Sequence, residues 1–306
     1  METVVSVILP VFLLVFLGWI LRRNNFPGDE FWSPAEKLTY FVLFPCLIAT
    51  TLATAALGEL PVVGMVVSIV VPILIVTALV YLVRPLLGLD GPKFSSVYQG
   101  SVRMNTYIGL SVALGIHGEL GLMAAAIAVA AIVPLVNLTC VMTLLTQCEP
   151  KEKSKAHVGR RLITNPLIIA CVVGILLNIS GIASPPILGS ASTILSRAAL
   201  PLGLLAVGSA LTIFGLRDGA AVAVVTSLLK LIVLPLLTWV CTRALQIEGV
   251  PAFVAVLFNG LPTAASSYIL AKQLGGDAAL MASLITWQTI LSLITLPLLL
   301  AVLFPV

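Results

Sequence analysis

The sequence predicts an all-α integral membrane fold of about ten transmembrane helices, and three observations lead to it. The first is composition: 60% of the 306 residues are hydrophobic and only 9% are charged, with a mean hydropathy of +1.17. A soluble domain carries roughly 25% charged residues on a surface that must face water, so lipid has to be part of the solvent here. The second is block structure. Runs such as Leu122–Val133 and Leu284–Val302 hold no charge and lack the alternating polarity of a barrel strand. The third is the placement of basic residues, which fall between the apolar blocks with a strong bias to alternate gaps.

In order along the chain, Val4–Leu21 is the first block. It has neither a basic leader nor a small-x-small cleavage site before Arg22 and Arg23, so it is read as a retained first span. Spans 2 to 5 follow at about Lys37–Ala56, Pro61–Val83, Phe94–Ile116 and Leu120–Leu145. The hydrophilic stretch Gln147–Arg161 then interrupts the pattern. Spans 6 to 10 lie at about Leu162–Gly181, Ile194–Phe214, Ala220–Cys241, Pro251–Ala271 and Ala278–Phe304. Each is about the 20 residues that a helix needs to cross hydrocarbon.

Arg22, Arg23, Lys37, Arg84, Lys93, Lys151, Lys153, Lys155, Arg160, Arg161, Arg217 and Lys272 gather on one side of this layout, against Arg197 and Arg243 on the other. Basic residues stay cytoplasmic. The expected orientation in a cytoplasmic (inner) membrane therefore puts Gln147–Arg161 inside and both termini outside. The net charge of +4 thus has a membrane explanation, and nucleic acid is not expected as a partner.

Internal matches divide the chain. Pro10 and Pro166, Gly18 and Gly174, and Pro45 and Pro201 share one offset of 156 residues. Arg84 and Arg243 follow at 159, and Gln99-Gly100 and Asn259-Gly260 at 160. The expected organisation is a first five-helix repeat over residues 1–146, a cytoplasmic linker over 147–161 and a second repeat over 162–306. An odd number of spans per repeat inverts the second against the first, a recurrent design of secondary transporters.

Spans 4 and 9 are expected to be broken. Span 4 holds Gln99, Gly100, Ser101, Arg103, Asn105, Thr106 and Gly109, and span 9 holds Asn259, Gly260, Pro262, Thr263, Ser266 and Ser267, all at hydrocarbon depth. Proline removes a helix hydrogen bond and glycine frees the backbone. Such breaks persist in lipid where they line protein or a watery cavity. The two spans are therefore expected to cross near their breaks and to surround a solute with Asn105, Thr106, Asn259, Pro262, Thr263 and Ser266.

Lys230 lies in the apolar run of span 8 and Arg103 within span 4. Ionisable residues at such depth mark ion or substrate routes. All twelve acidic residues fall at span ends or loops, so no carboxylate is visible for a coupling cation. Two cations, amides and helix dipoles favour an anion as solute. The scattered cysteines, Cys46, Cys140, Cys148, Cys171 and Cys241, and the separated His117 and His157 give no metal-ligand spacing. No cofactor is expected, and catalytic chemistry has no carboxylate pair to support it.

The sequence resembles the auxin efflux carrier family, the PIN-like and malonate/malate permease group, in its bacterial form. The resemblance spans the whole chain and rests on VILPVFLLVFLGWILRR, KLTYFVLFPCLIATTLA, RMNTYIGL and LPTAASSYILAKQLGG in this order. It implies a scaffold of spans 1, 2, 6 and 7, a moving transport domain of spans 3–5 and 8–10, and homodimers formed through the scaffold. Asn105 looks like the family's crossover asparagine and Pro262 like its span 9 proline. Gly109 stands where plant members place a proline close after that asparagine, and Gln147–Arg161 is shorter than their central loop.

The functional expectation is a secondary transporter of small organic anions, carboxylates or auxin-like weak acids, working by alternating access. A sodium- or proton-coupled symporter and an anion channel of the same fold are the alternatives.

Overall fold

A computed structural model describes residues 2–55, 58, 60–148, 165–180, 186–212 and 220–305. Residues 149–161 of the expected linker and the expected turn at Gly215–Gly219 lie outside the described residues. Every regular element described is helical.

α1 (Glu2–Arg23) ends in Arg22 and Arg23, where cations oppose the negative end of the helix dipole. Arg22 Nε pairs with Asp29 Oδ1 at 2.7 Å. α2 (Asp29–Leu38) runs through a π turn at Thr39–Leu43 into α3 (Phe44–Ala53). The second span is thus continuous from Asp29, earlier than the apolar pattern alone suggests, because its first ten residues are amphipathic. The π turn ends at Leu43, with only Phe44 between it and Pro45. A regular α ladder would require an N–H that proline lacks and would press its ring on the preceding turn. One extra residue in the turn relieves both demands.

α4 (Val62–Leu87) stops at Gly88 with φ 57°, the left-handed helix end that glycine adopts without a Cβ penalty. α5 (Gly91–Val102) starts on an Asp90 cap, and α6 (Thr106–Gln147) bends sharply at Gly118, where φ is 57° and ψ is −144°. Next come α7 (Pro166–Ser180), α8 (Pro186–Ser209) and α9 (Ala220–Leu228). A second π turn, Leu229–Val233, precedes α10 (Leu234–Ala244), and again a proline, Pro235, follows it. α11 (Gly249–Gly260), α12 (Ser266–Leu274) and α13 (Ala278–Leu303) complete the chain.

Seven helical runs among the described residues are long and apolar enough to cross a membrane. Leu9, Leu13 and Phe16 on α1 and Val172, Leu176 and Ile179 on α7 are exposed, which suits a lipid solvent. The polar residues Gln99, Asn105, Lys230, Asn259, Thr263 and Gln288 are buried instead. The protein is a multi-pass, all-α membrane fold with its polarity gathered inside.

Two helix pairs pack most closely, α1 with α8 and α3 with α7. Glycine permits both. A Cβ on Gly18 would run into the backbone of Leu205, and one on Gly208 into Val15. A Cβ on Gly174 would lie 2.8 Å from the Ala49 carbonyl oxygen. Small residues that let backbones touch are how membrane helices gain packing without a hydrophobic driving force.

Candidate functional site: two interrupted helices

α5 and α11 have 12 residues each and α12 has nine. At 1.5 Å per residue these pieces are about 14–18 Å long, near half of a 30 Å hydrocarbon core. Their inner ends therefore lie deep in the bilayer. Arg103 and Leu261 are both extended, with ψ of 153° and 150°, so each helix stops abruptly rather than bending. The chain resumes at Thr106 and at Ser266.

The breaks meet. Asn105 N–H donates to the Pro262 carbonyl at 2.8 Å, joining the two interruptions backbone to backbone. Gln288 of α13 ties them again: its Oε1 accepts from Thr263 N–H at 3.0 Å, and its Nε2 donates to Gly100 O at 2.9 Å. Arg103 Nη2 reaches Ser266 Oγ at 3.3 Å. Thr263 Oγ1 lies 3.4 Å from Ser267 Oγ.

Asn105 caps α6. Its Oδ1 accepts from Tyr107 N–H at 3.2 Å and Ile108 N–H at 3.4 Å, which fixes the amide so that Nδ2 points elsewhere. That Nδ2 is buried without a partner, as is Arg103 Nη1. α12 starts with no side-chain cap, leaving its amino-terminal positive end beside Arg103's partner Ser266. Arg103, Thr106 and Ser266 remain partly exposed, as do Ala264 and Ala265.

Lys230 and Asn259 form a second, sealed group. Lys230 is fully buried, and its Nζ donates to the Asn259 carbonyl at 2.9 Å. Asn259 Nδ2 donates to Thr238 Oγ1 at 2.7 Å and to Ile69 O at 3.1 Å. The sequence-predicted residues thus divide between a partly open group at Arg103, Asn105, Thr106 and Ser266 and a closed one at Lys230 and Asn259. Pro262 and Thr263, both buried, supply backbone groups to the junction.

Gln288 was not anticipated. Its only sequence signal is a lone amide in the apolar run TWQTILSLIT. Its partners are 25 and 188 residues away, a register that no local pattern reveals. His117 packs edge-on against Phe253, ring centroids 4.5 Å apart. No group of metal-binding side chains is found among the described residues.

Half-length helices that meet inside a bilayer, with polar groups at their ends and a lipid-facing exterior, define a secondary membrane transporter. The chain belongs to the family described as Membrane transport protein, whose profile matches residues 3–300. It is 31% identical to an "Uncharacterized transporter" of Methanothermobacter thermautotrophicus, with 97% of this chain and 96% of that protein covered. It is 24% identical to the "Uncharacterized transporter MJ1031" of Methanocaldococcus jannaschii, over 96% of each chain. It is 25% identical to a "Putative malonate transporter" of Rhizobium meliloti, with 96% of this chain and 94% of that protein covered.

Proposed function

We propose that this transporter carries small organic anions, carboxylates above all, by alternating access at the junction of the broken helices. One observation carries the reading: Arg103 Nη1 and Asn105 Nδ2 are buried donors without acceptors on one break. No carboxylate pairs with Arg103 among the described residues. Unsatisfied donors in a low-dielectric site are costly, and a carboxylate supplies what both lack. The amino-terminal ends of α6 and α12 add positive potential at the same place. The name of the Rhizobium meliloti relative agrees with a dicarboxylate, and auxin-like weak acids share the same headgroup chemistry.

The proposed arrangement is ten spans as two inverted five-helix repeats, residues 1–146 and 162–306, with both termini outside. Reciprocal glycine contacts support the inversion. Gly18 touches Leu205, and Gly174, 156 residues on from Gly18, touches Ala49, which precedes Leu205 by the same 156. A two-fold relation between halves produces such a pair. In this reading α1, α2–α3, α7 and α8 form a scaffold through which two copies associate, and the interrupted helices move against it. An impermeant label on single cysteines placed in residues 149–161 checks the orientation.

The test of the site is a thermal-unfolding screen of purified protein with mono- and dicarboxylates, auxin-like acids and organic cations, followed by proteoliposome uptake of radiolabelled malonate. At least one carboxylate should stabilise the protein and no organic cation should. Arg103→Ala should abolish the carboxylate effect while the protein stays folded. Stabilisation by cations, or an unaltered carboxylate response in Arg103→Ala, would remove the anion reading.

A further inference from the structure

Each interrupted helix ends its first half deep in the membrane, where its last carbonyls lack intrahelical donors. In carriers built on broken helices such carbonyl ends hold the coupling sodium ion or proton. Side chains of this protein occupy both ends. At α5, Gly100 O accepts from Gln288 Nε2 at 2.9 Å. At α11, Asn259 O accepts from the Lys230 ammonium at 2.9 Å.

Lys230 is placed for that role rather than for reaching solvent. Its relative exposure is 0%, and it is carried on the π turn Leu229–Val233, which packs against α5, α11 and α13. No carboxylate pairs with it among the described residues. The negative end of the α11 dipole, about half an elementary charge, is the counter-charge that the geometry provides. The same Asn259 carries a buried Oδ1 with no partner, a second oxygen on the residue that binds the ammonium.

We propose that Lys230 is a tethered cation occupying the coupling-ion position, so that this carrier works without a free sodium ion or other metal cation at the α11 break. A cation on a side chain holds the helix end as a bound metal ion would, but it is covalently tethered, so no sodium or other metal-ion gradient can be drawn upon through it. The proposal rests on the membrane transporter class and the broken helices, not on which solute is carried.

The test measures unfolding temperature of the full-length protein in sodium, lithium, potassium and choline chloride at equal ionic strength, without any carboxylate solute. The wild type should unfold at one temperature in all four salts. Lys230→Ala should unfold about 5 °C or more lower in choline chloride and regain much of that loss in sodium or in ethylammonium chloride. Lys230→Met, which refills the space with an apolar chain, should regain none. Specific stabilisation of the wild type by a metal cation would overturn the proposal. So would a Lys230→Ala protein indifferent to every cation, ethylammonium included. Should Lys230→Ala not fold, the wild type and Lys230→Arg decide: indifference of both to the metal cations supports the tethered cation, and a specific response of either overturns it. Because no carboxylate enters the measurement, its failure is separate from a failure of the anion reading.

Discussion

In the proposed site Asn105 has two jobs on opposite ends of one amide, and substitution can separate them. Its Oδ1 holds the first amides of α6 at 3.2 and 3.4 Å, and its Nδ2 is unspent. Asn105→Ala removes both. Loss of the cap costs about 1 kcal/mol, and amides left unpaired in a dry site add about 1–3 kcal/mol. At about 2–4 °C per kcal/mol for a chain somewhat smaller than this one, unfolding should fall by roughly 4–16 °C. Asn105→Asp keeps an acceptor, and a carboxylate suits a helix amino terminus, so its unfolding temperature should stay near that of the wild type. Its donor is gone, however, and the new charge sits where the solute's carboxylate would bind. A hydrogen bond to a charged group is worth about 1.5–3 kcal/mol, so affinity should fall by about 10–150-fold before repulsion is added. The assays are unfolding in detergent and concentration-dependent malonate uptake in proteoliposomes. Wild-type affinity in Asn105→Asp would refute the assignment of Nδ2 to the solute, and equal stability of the Ala and Asp proteins would refute the cap argument.

Two further substitutions probe the frame. Gly18→Ala should destabilise the protein by about 1–3 kcal/mol, read as a lower unfolding temperature, because its Cβ meets the backbone of Leu205. Gly174→Ala should act in the same direction, since its contacts are the Ala49 carbonyl and the Leu52 Cβ. Gln288→Leu preserves bulk but leaves Thr263 N–H and Gly100 O without their partner. A loss of about 2–6 kcal/mol is expected from two unpaired groups, measured by the same unfolding assay.

The breaks were legible because the residues that make them are unusual at that depth. Asn105, Pro262 and the glycines before them stand out in hydrocarbon, and backbone polarity there has few outlets. Gly18 and Gly174 were legible as a matched pair, though not the contacts they permit. The π turns were not legible. Pro45 and Pro235 announce a defect, but whether a helix kinks, stops or gains a residue depends on what packs around it. The early start of α2 was not legible because Asp29, Glu30 and Glu36 dilute the hydropathy of its first ten residues. Lys230 was conspicuous as a charge, yet its partner is a backbone carbonyl 29 residues away, and backbone carbonyls have no sequence signature. For the same reason Gln288 stood out only as a lone amide, with nothing in the sequence to name its partners.

The two kinds of helix end at the junction are treated unequally, and this bears on selectivity. A broken helix offers carbonyls from its first half and amides from its second, so an unadorned junction would attract either sign of charge. Here the carbonyl ends at Gly100 and Asn259 are closed by Gln288 and Lys230, both fully buried. The amide ends keep their exposure at Thr106 and Ser266, with Arg103 between them and bonded to Ser266. In the proposed site a solute entering from water therefore meets amides and a guanidinium, while the Gly100 and Asn259 carbonyls are already engaged. If the solute is an anion, as proposed, the preference for it comes less from any pocket shaped around it than from filling the competing sites with the protein's own donors. Reopening the α11 carbonyl end should consequently weaken discrimination against cations even though Arg103 and Asn105 are unchanged.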